Sequence, residues 1–131
     1  MKDYRSLSLW LDSCGDDLTP REALPGDVSA DVAIVGGGLT GLWAAHYLKS
    51  QAPDLRILVL EAEICGFGAS GRNGGWCSAL FPASLEQLAA MSSSPSVAGK
   101  RAAAVAQYRA MIDTVTEVEL VVQRLGIDAD F

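Results

Sequence analysis

The middle of the chain alternates between short apolar runs and a longer mixed segment. Val32 to Val35 is wholly apolar, and residues 55–60 form a second, mainly apolar run that ends at Glu61. Leu42 to Lys49, between them, has the length and mixed pattern of a helix. Short runs rich in β-branched residues are typical of buried strands. The pattern therefore predicts a strand, a helix and a second strand in this order.

Two more helices are predicted nearer the end of the chain. Ser84, three residues before Gln87, favours a capped helix that continues to Met91. Residues 96–125 read as one long helix with an amphipathic face, and Gly126 is a typical stop. The predicted face consists of apolar residues spaced three or four apart: Val105, Tyr108, Ile112, Val115, Val118, Val122 and Leu125.

The turn after the first predicted strand has the glycine spacing G-x-G-x-x-G, from Gly36 to Gly41. Gly36 allows a tight turn, Gly38 allows a pyrophosphate close to the backbone, and Gly41 lets the helix approach the sheet. Glu61, 25 positions after Gly36, can accept hydrogen bonds from ribose hydroxyls and would repel a 2′-phosphate. The order of strand, glycine turn, helix, strand and carboxylate predicts a dinucleotide-binding unit.

A second glycine-rich segment follows Glu61 and favours FAD as the dinucleotide. Five of the eleven residues from Gly66 to Trp76 are glycine. A long extended flavin cofactor requires backbone that approaches it closely, which glycine, alanine and serine permit. Ser70 and Asn73 can hydrogen-bond phosphate or ribityl oxygens, and Arg72 can neutralise phosphate. The alternative is a flexible surface loop in which Arg72 is merely solvated.

These motifs resemble those of the D-amino-acid oxidase superfamily of FAD-dependent oxidoreductases. The G-G-G-x-x-G turn, Glu61 and the sequence G-A-S-G-R-N-G-G from Gly68 to Gly75 carry the resemblance. The chain is most similar to the branch of gamma-glutamylputrescine oxidoreductase-like proteins, which Ser8-Leu9-Trp10 near the start also resembles. The resemblance implies hydride transfer from the C–N unit of an amine or amino acid to the flavin.

The resemblance also implies where the cofactor lies. The ADP half would contact the glycine turn and Glu61, and the second segment would run along the cofactor toward the flavin ring. The predicted cofactor-binding residues are Gly36, Gly38, Leu39, Thr40, Gly41, Glu61, Ala62, Gly68, Ala69, Ser70, Arg72, Asn73, Gly74 and Gly75. No residue is assigned as catalytic, and no metal site is predicted.

The predicted fold class is α/β: a Rossmann-like βαβ unit with a glycine-rich flavin loop and a long C-terminal helix. Residues 1–29 are predicted to be an irregular leader and linker, with residues 8–11 as an apolar anchor. Residues 30–131 are predicted to be the N-terminal part of an FAD-binding domain. Members of the resembled family are far longer, so we expect an incomplete domain whose substrate domain is absent. The rest of its own chain or a partner chain would then complete the flavin site.

Composition and net charge argue against several other classes of function. The net charge of −6 argues against nucleic acid or an anionic membrane as a partner. Cys14, Cys65 and Cys77 have no zinc-binding spacing, and their odd number favours a reduced, cytoplasmic setting. His46, the only histidine, is expected to be structural rather than catalytic.

Three alternatives remain open at this stage. The stretch from Ala30 to Leu48 is apolar enough to suggest a membrane segment, although Asp31, Thr40 and His46 argue against it. An NAD-dependent dehydrogenase would use the same βαβ unit. A non-catalytic dinucleotide-binding subunit that needs a partner chain is the third.

Overall fold

The computed structural model describes residues 2–129 and residue 131. Within them it has two strands, β1 (Val32–Val35) and β2 (Ile57–Leu60). It has four α-helices: α1 (Leu9–Ser13), α2 (Leu39–Gln51), α3 (Leu85–Met91) and α4 (Val97–Leu125). Short 3-10 helical turns lie at Arg5–Leu7 and Ala69–Gly71. The predicted order of strand, helix and strand is confirmed.

The two strands form a parallel sheet, with α2 as the connection between them. Val32 lies opposite Ile57 and Val35 lies opposite Leu60, so the two strands end at the same level. Parallel strands need a crossover, and a helix of the length of α2 supplies it. The carboxyl ends of the strands, where the glycine turn and Glu61 follow, therefore lie side by side.

An ion pair joins the strands at their other end. The Arg56 guanidinium donates to both carboxylate oxygens of Asp31, at 2.9 and 3.1 Å, and the Arg56 backbone N–H donates to the same carboxylate at 2.8 Å. These bonds lower the pKa of Asp31 to about 2. The pair is exposed, so its main effect is to fix the start of the register rather than to add much stability.

The N-terminal segment is more ordered than the predicted irregular leader. The Ser8 hydroxyl accepts a hydrogen bond from the Leu11 backbone N–H and caps α1. Tyr4, Leu11 and Ile64 are buried together and form the hydrophobic cluster of this part of the chain. The prediction of an apolar anchor at residues 8–11 is therefore supported at Leu11. The irregular conformation expected for residues 1–29 is wrong for Arg5–Leu7 and Leu9–Ser13, where burial of Tyr4 and Leu11 offsets the cost of ordering the chain. Residues 14–29 contain no helix or strand, as expected.

The side chain of Arg5 contacts the end of α1 and the residues after it, and all of its acceptors are backbone carbonyl oxygens. Its guanidinium donates to the carbonyl oxygens of Leu11, Asp12, Cys14 and Asp16, at 2.8–3.3 Å. These acceptors include carbonyls at the end of α1, which lack intrahelical partners. The side chain thereby ties the end of α1 to the residues that follow it.

Helices α3 and α4 pack against each other in the C-terminal part. The Ser84 hydroxyl and the Gln87 side chain form the predicted reciprocal capping box at the start of α3. The Tyr108 hydroxyl donates to the Ala83 carbonyl oxygen at 3.1 Å, and its ring contacts Phe81. Gly126 ends α4 in the left-handed conformation, as predicted.

The predicted face of α4 is confirmed in part, because five of its seven residues are half-buried: Val105, Tyr108, Val115, Val118 and Val122. Ala104 and Val121 are each 2% exposed, although neither belongs to the predicted set. Ile112 and Leu125, which do belong to it, are more than half exposed. The packed face therefore includes most of the predicted positions and adds Ala104 and Val121.

The described residues form two compact units, which are divided between Gly74 and Gly75. The boundary falls inside the second glycine-rich segment, after Gly74. The predicted domain limits at residues 29 and 30 stay a prediction. In the part of the chain that the structure describes, no helix is both long and apolar enough to cross a membrane.

Candidate dinucleotide-binding site

The glycine turn connects the end of β1 to the start of α2. Gly36 has a φ of 103°, a conformation that side chains with a Cβ rarely adopt, and its N–H donates to the Leu60 carbonyl oxygen at 2.7 Å. A Cβ added to Gly41 would collide with the Gly36 carbonyl oxygen and lie 3.2 Å from Ile34 Cγ2. The glycine at position 41 therefore lets the first turn of α2 lie directly on the turn and on β1.

The N-terminus of α2 meets the second glycine-rich segment. Gly38 is the N-cap residue and supplies no side chain. The backbone N–H of Leu39 donates to the Ser70 hydroxyl oxygen at 2.9 Å, and a Cβ on Gly38 would lie 2.8 Å from that oxygen. The structure thus brings two predicted segments, more than 25 residues apart in sequence, into direct contact at a helix N-terminus.

Glu61 fastens the turn through its carboxylate. One carboxylate oxygen accepts the Gly37 backbone N–H at 2.7 Å, and the other accepts the Glu63 backbone N–H at 3.1 Å. These two hydrogen bonds hold the pKa of Glu61 below its ordinary value, because they stabilise the ionised form. An anion is therefore fixed at the carboxyl end of β2, beside the turn.

The second segment is also attached to the turn by its backbone. The Gly66 N–H donates to the Gly37 carbonyl oxygen at 2.9 Å. A Cβ on Gly71 would collide with the Gly66 carbonyl oxygen, so the loop folds closely on itself before the 3-10 turn ends. Glycine is needed here for the packing of the loop, whether or not a ligand is present.

Arg72 and Asn73 use their side chains within the loop. Arg72 Nε donates to the Phe67 carbonyl oxygen at 2.8 Å, and its guanidinium carbon lies 4.5 Å from the Phe67 ring centroid. Asn73 Nδ2 donates to the Ser70 carbonyl oxygen at 2.8 Å. The alternative of a merely solvated Arg72 is wrong, since the side chain is held on Phe67. Its predicted contact with phosphate stays a prediction.

The remaining predicted residues fall into three places. Leu39 and Thr40 lie in the first turn of α2, and Ala62 directly follows Glu61. Gly68 and Ala69 open the 3-10 turn that contains Ser70. Gly75 belongs to the second compact unit, whereas the other thirteen belong to the first.

Sequence reasoning missed two contributors to this site. The Gly37 backbone bonds both Glu61 and Gly66, although position 37 is a variable place in the glycine spacing. The Trp10 indole Nε1–H donates to the Asn73 carbonyl oxygen at 2.8 Å. An isolated tryptophan 63 residues before its partner gives no signal in the sequence of this contact.

Comparison with known families agrees with this geometry. The model of the family described as FAD dependent oxidoreductase (DAO) matches residues 31–131, which is most of the chain. The chain belongs to this family. FAD is the family's cofactor, and its fold is Rossmann-like, as the sequence predicted.

Relatives of this DAO chain share a short stretch of it. Gamma-glutamylputrescine oxidoreductase of Escherichia coli K12 is 50% identical over 56 residues, which are 43% of the chain and 13% of that protein. Probable oxidoreductase OrdL of Rhizobium meliloti is 52% identical over 52 residues, 40% of the chain and 12% of that protein. Thiamine thiazole synthase of Schizosaccharomyces pombe is 39% identical over 51 residues, 39% of the chain and 16% of that protein.

The aligned parts span roughly an eighth of the length of these relatives. The names of these relatives differ, so the matches do not fix the reaction. No solved structure matches the chain significantly.

The residues of the DAO chain fit the ADP half of FAD. Helix N-termini offer backbone N–H donors and a partial positive charge to phosphates. At α2 the Ser70 hydroxyl accepts the Leu39 N–H and lies only 2.8 Å from where a Cβ of Gly38 would be, so glycine at position 38 lets this hydroxyl reach the helix N-terminus. Because that hydroxyl accepts from Leu39, its own proton is available to donate to a phosphate oxygen. The donor set thus suits a pyrophosphate beside a carboxylate.

Proposed function

We propose that this DAO chain binds the ADP half of FAD in an enzyme that oxidises the C–N bond of an amine or amino acid. The observation that carries the proposal is the contact of Ser70 with the N-terminus of α2. The second glycine-rich segment lies beside the first at this contact, which supports a continuous surface for an extended dinucleotide.

The proposed roles follow from the donors and acceptors at hand. The N-terminus of α2, from Gly38 to Gly41, receives the pyrophosphate, together with the hydroxyl of Ser70. Glu61 accepts hydrogen bonds from the adenosine ribose. Residues 68–75 follow the cofactor toward the flavin ring, and Arg72 adds positive charge along this path.

The charge of Glu61 selects among dinucleotides. Its pKa is lowered by two backbone donors, so the group is an anion at neutral pH. An anion beside the ribose repels a 2′-phosphate, which disfavours an NADP-type ligand. FAD and NAD both satisfy this condition, and the second glycine-rich segment favours FAD.

The chemistry of oxidation belongs to the cofactor. When bound, FAD supplies the acceptor for a hydride from the carbon next to the substrate nitrogen. The described residues bind and orient this group, and we assign no catalytic residue among them. The name of the E. coli relative supports an amine as substrate. The name of the S. pombe relative shows that the shared stretch alone does not fix the reaction.

We also propose that sequence beyond these 131 residues, in the same chain or in a partner, completes the flavin site. The support is that the aligned parts cover only 13% and 12% of two relatives. We propose a reducing cytoplasmic setting as well, because Cys14, Cys65 and Cys77 are all free thiols.

The cofactor is tested by the absorbance spectrum of the purified protein. We expect a flavin spectrum, or its appearance after addition of FAD, and release of intact FAD on denaturation. Titrations with NAD and with NADP run in parallel. A colourless protein that takes up NAD but no FAD would replace this proposal with that of a dehydrogenase.

The substrate class is tested on the natural protein in full. Amines, gamma-glutamylated amines and amino acids are added anaerobically, and bleaching of the flavin band is followed. We expect bleaching by a member of one of these classes, with ammonia or an amine among the products. Flavin that binds but is bleached by none of them would refute the proposed C–N oxidation and leave FAD binding intact.

A further inference from the structure

We propose that Trp10 is a positioning residue for the cofactor phosphates, acting through Asn73 and Ser70. This inference rests on the proposed function, since it concerns the same pyrophosphate site. The inference gives the N-terminal segment a role in cofactor binding. The glycine motifs do not include this segment.

Three consecutive hydrogen bonds connect Trp10 to the helix N-terminus. The Trp10 indole N–H donates to the Asn73 carbonyl oxygen at 2.8 Å. Asn73 Nδ2 donates to the Ser70 carbonyl oxygen at 2.8 Å. The Ser70 hydroxyl accepts the Leu39 N–H at 2.9 Å. Each bond fixes the residue that makes the next one, so the series orients the Ser70 hydroxyl over α2.

The helix that carries Trp10 is anchored by its neighbour. Trp10 is itself 45% exposed, but Leu11 beside it in α1 is 7% exposed in the cluster with Tyr4 and Ile64. The Tyr4 hydroxyl donates to the Glu63 carboxylate at 2.8 Å. Since Ile64 and Glu63 closely follow Glu61, α1 is packed on the same connection that carries the ribose-binding acid.

The indole is well suited to this task. Its only polar group is one N–H donor on a rigid ring, and it has no acceptor. It can therefore hold one acceptor, here a backbone carbonyl oxygen, in a fixed direction. Asn73 and Ser70 lie in a loop that has four glycines from Gly66 to Gly74, and glycine restricts the backbone less than any other residue does. A contact from outside the loop reduces that freedom before the cofactor arrives, which favours binding.

Amide hydrogen exchange at Leu39 tests the series without any cofactor. Leu39 is the first residue of α2, so its N–H has no acceptor within the helix and its protection depends on Ser70. We expect Trp10→Phe, which keeps an aromatic ring but removes the donor, to speed exchange at Leu39 about fivefold, the usual effect of losing one hydrogen bond. Trp43→Phe is the matched control, because that ring stacks on Tyr47 within α2.

Cofactor affinity gives the second readout. Kd is measured by fluorescence titration with FAD and with ADP for the unchanged protein, Trp10→Phe, Ser70→Ala and the double variant. We expect each single variant to raise Kd about fivefold and the double variant to add little, because both changes break one series. If Trp10→Phe instead caused a general loss of structure, the increases in Kd of the two single variants would multiply in the double variant. Exchange would then rise at many amides rather than specifically at Leu39.

The outcomes separate this inference from the proposed function. Unchanged exchange at Leu39 in Trp10→Phe overturns the inference, whatever the cofactor does. Faster exchange with equal Kd values overturns it too, while flavin binding by the unchanged protein upholds the proposed function. If the unchanged protein binds neither FAD nor ADP, the proposed function and the inference fall together.

Discussion

At the scale of single residues, the site depends on where side chains are absent as much as on where they are present. Gly36 and Gly41 could be predicted from their spacing, and the structure shows the backbone reason for each: the positive φ of Gly36 and the close approach of Gly41 to the Gly36 carbonyl oxygen. The place of Glu61 at the end of β2 followed from the apolar run before it. Its bond to Gly37 did not, because a carboxylate can accept from any nearby donor. Trp10 was not recognised, since nothing in the sequence joins it to Asn73.

Gly41 is the most sensitive of the glycines to a larger side chain. In Gly41→Ala the new Cβ would collide with the Gly36 carbonyl oxygen, which is backbone and cannot move aside. We expect a loss of about 1–3 kcal/mol in the free energy of unfolding. Urea unfolding measures it. Gly15→Ala is the control, because its Cβ meets no atom within 4 Å and should change stability by less than about 0.5 kcal/mol.

Glu61 gives a pH dependence whose sign follows from its lowered pKa. Its ionised form is stabilised in the folded protein, so its contribution is complete above the ordinary carboxyl pKa of 4.5 and is lost as pH falls through the lower folded value. We expect Glu61→Gln to be less stable than the unchanged protein at pH 6, by about 1 kcal/mol, and the difference to shrink on acidification below pH 4.5.

Urea unfolding at pH 6 and at pH 3 measures this difference. Both proteins lose stability in acid, since the pKa values of Asp31 and Glu63 are also lowered by their partners. Glu22→Gln, at an exposed position in the linker, serves as the control. A constant gap between Glu61→Gln and the unchanged protein across this pH range would contradict the assigned hydrogen bonds.

At the scale of elements, the spacing of apolar residues predicted which helices and strands exist. It predicted their first and last residues and their buried faces less well. Both strands, α2, α3 and α4 occur where expected, because their apolar spacing is regular. Helix α2 begins at Leu39, three residues before the predicted start, since Gly38 serves as N-cap without a capping side chain. The predicted face of α4 contains half-buried positions such as Val105 and Val118, but it omits Ala104 and Val121, which are the buried ones. A spacing of three or four residues identifies a face without stating which of its neighbouring positions is buried most deeply.

The capping box of α3 has a measurable value. Ser84→Ala removes the acceptor of the Gln87 N–H and leaves one of the first N–H groups of the helix without its partner. We expect a loss of about 1 kcal/mol in the free energy of unfolding, followed by circular dichroism at 222 nm. Ser84→Asp keeps an acceptor at the same place and should retain most of the stability. An equal loss in both variants would exclude the cap as the cause.

At the scale of the whole molecule, the N-terminal segment proves to be part of the first compact unit. Sequence could not show this, because Tyr4 and Leu11 find their partner Ile64 more than 50 residues away and only folding reveals the pairing. The division after Gly74 was likewise not predicted, since glycine-rich composition predicts a loop without stating which unit each half joins. Elements that depend on neighbouring residues can be predicted from the sequence, whereas features set by contacts between distant residues cannot.

Leu11 tests the contribution of this segment. Leu11→Ala removes buried apolar surface from a small cluster, so we expect a loss of about 2 kcal/mol, at the low end for such changes. Leu9→Ala in the same helix is the control, because Leu9 is 70% exposed and should change stability little. Equal effects of the two substitutions in urea unfolding would show that α1 contributes no core.

Arg5 has a consequence for how the N-terminal segment can vary among descendants of this sequence. Its four acceptors are carbonyl oxygens, which every amino acid carries. Side chains at these acceptor positions can therefore drift without breaking the contact, whereas position 5 cannot, since lysine lacks the planar fork of donors. In a saturation library selected for folded protein, arginine should be retained at position 5 while the residues at the four acceptor positions diversify. The constraint is then visible at position 5 alone.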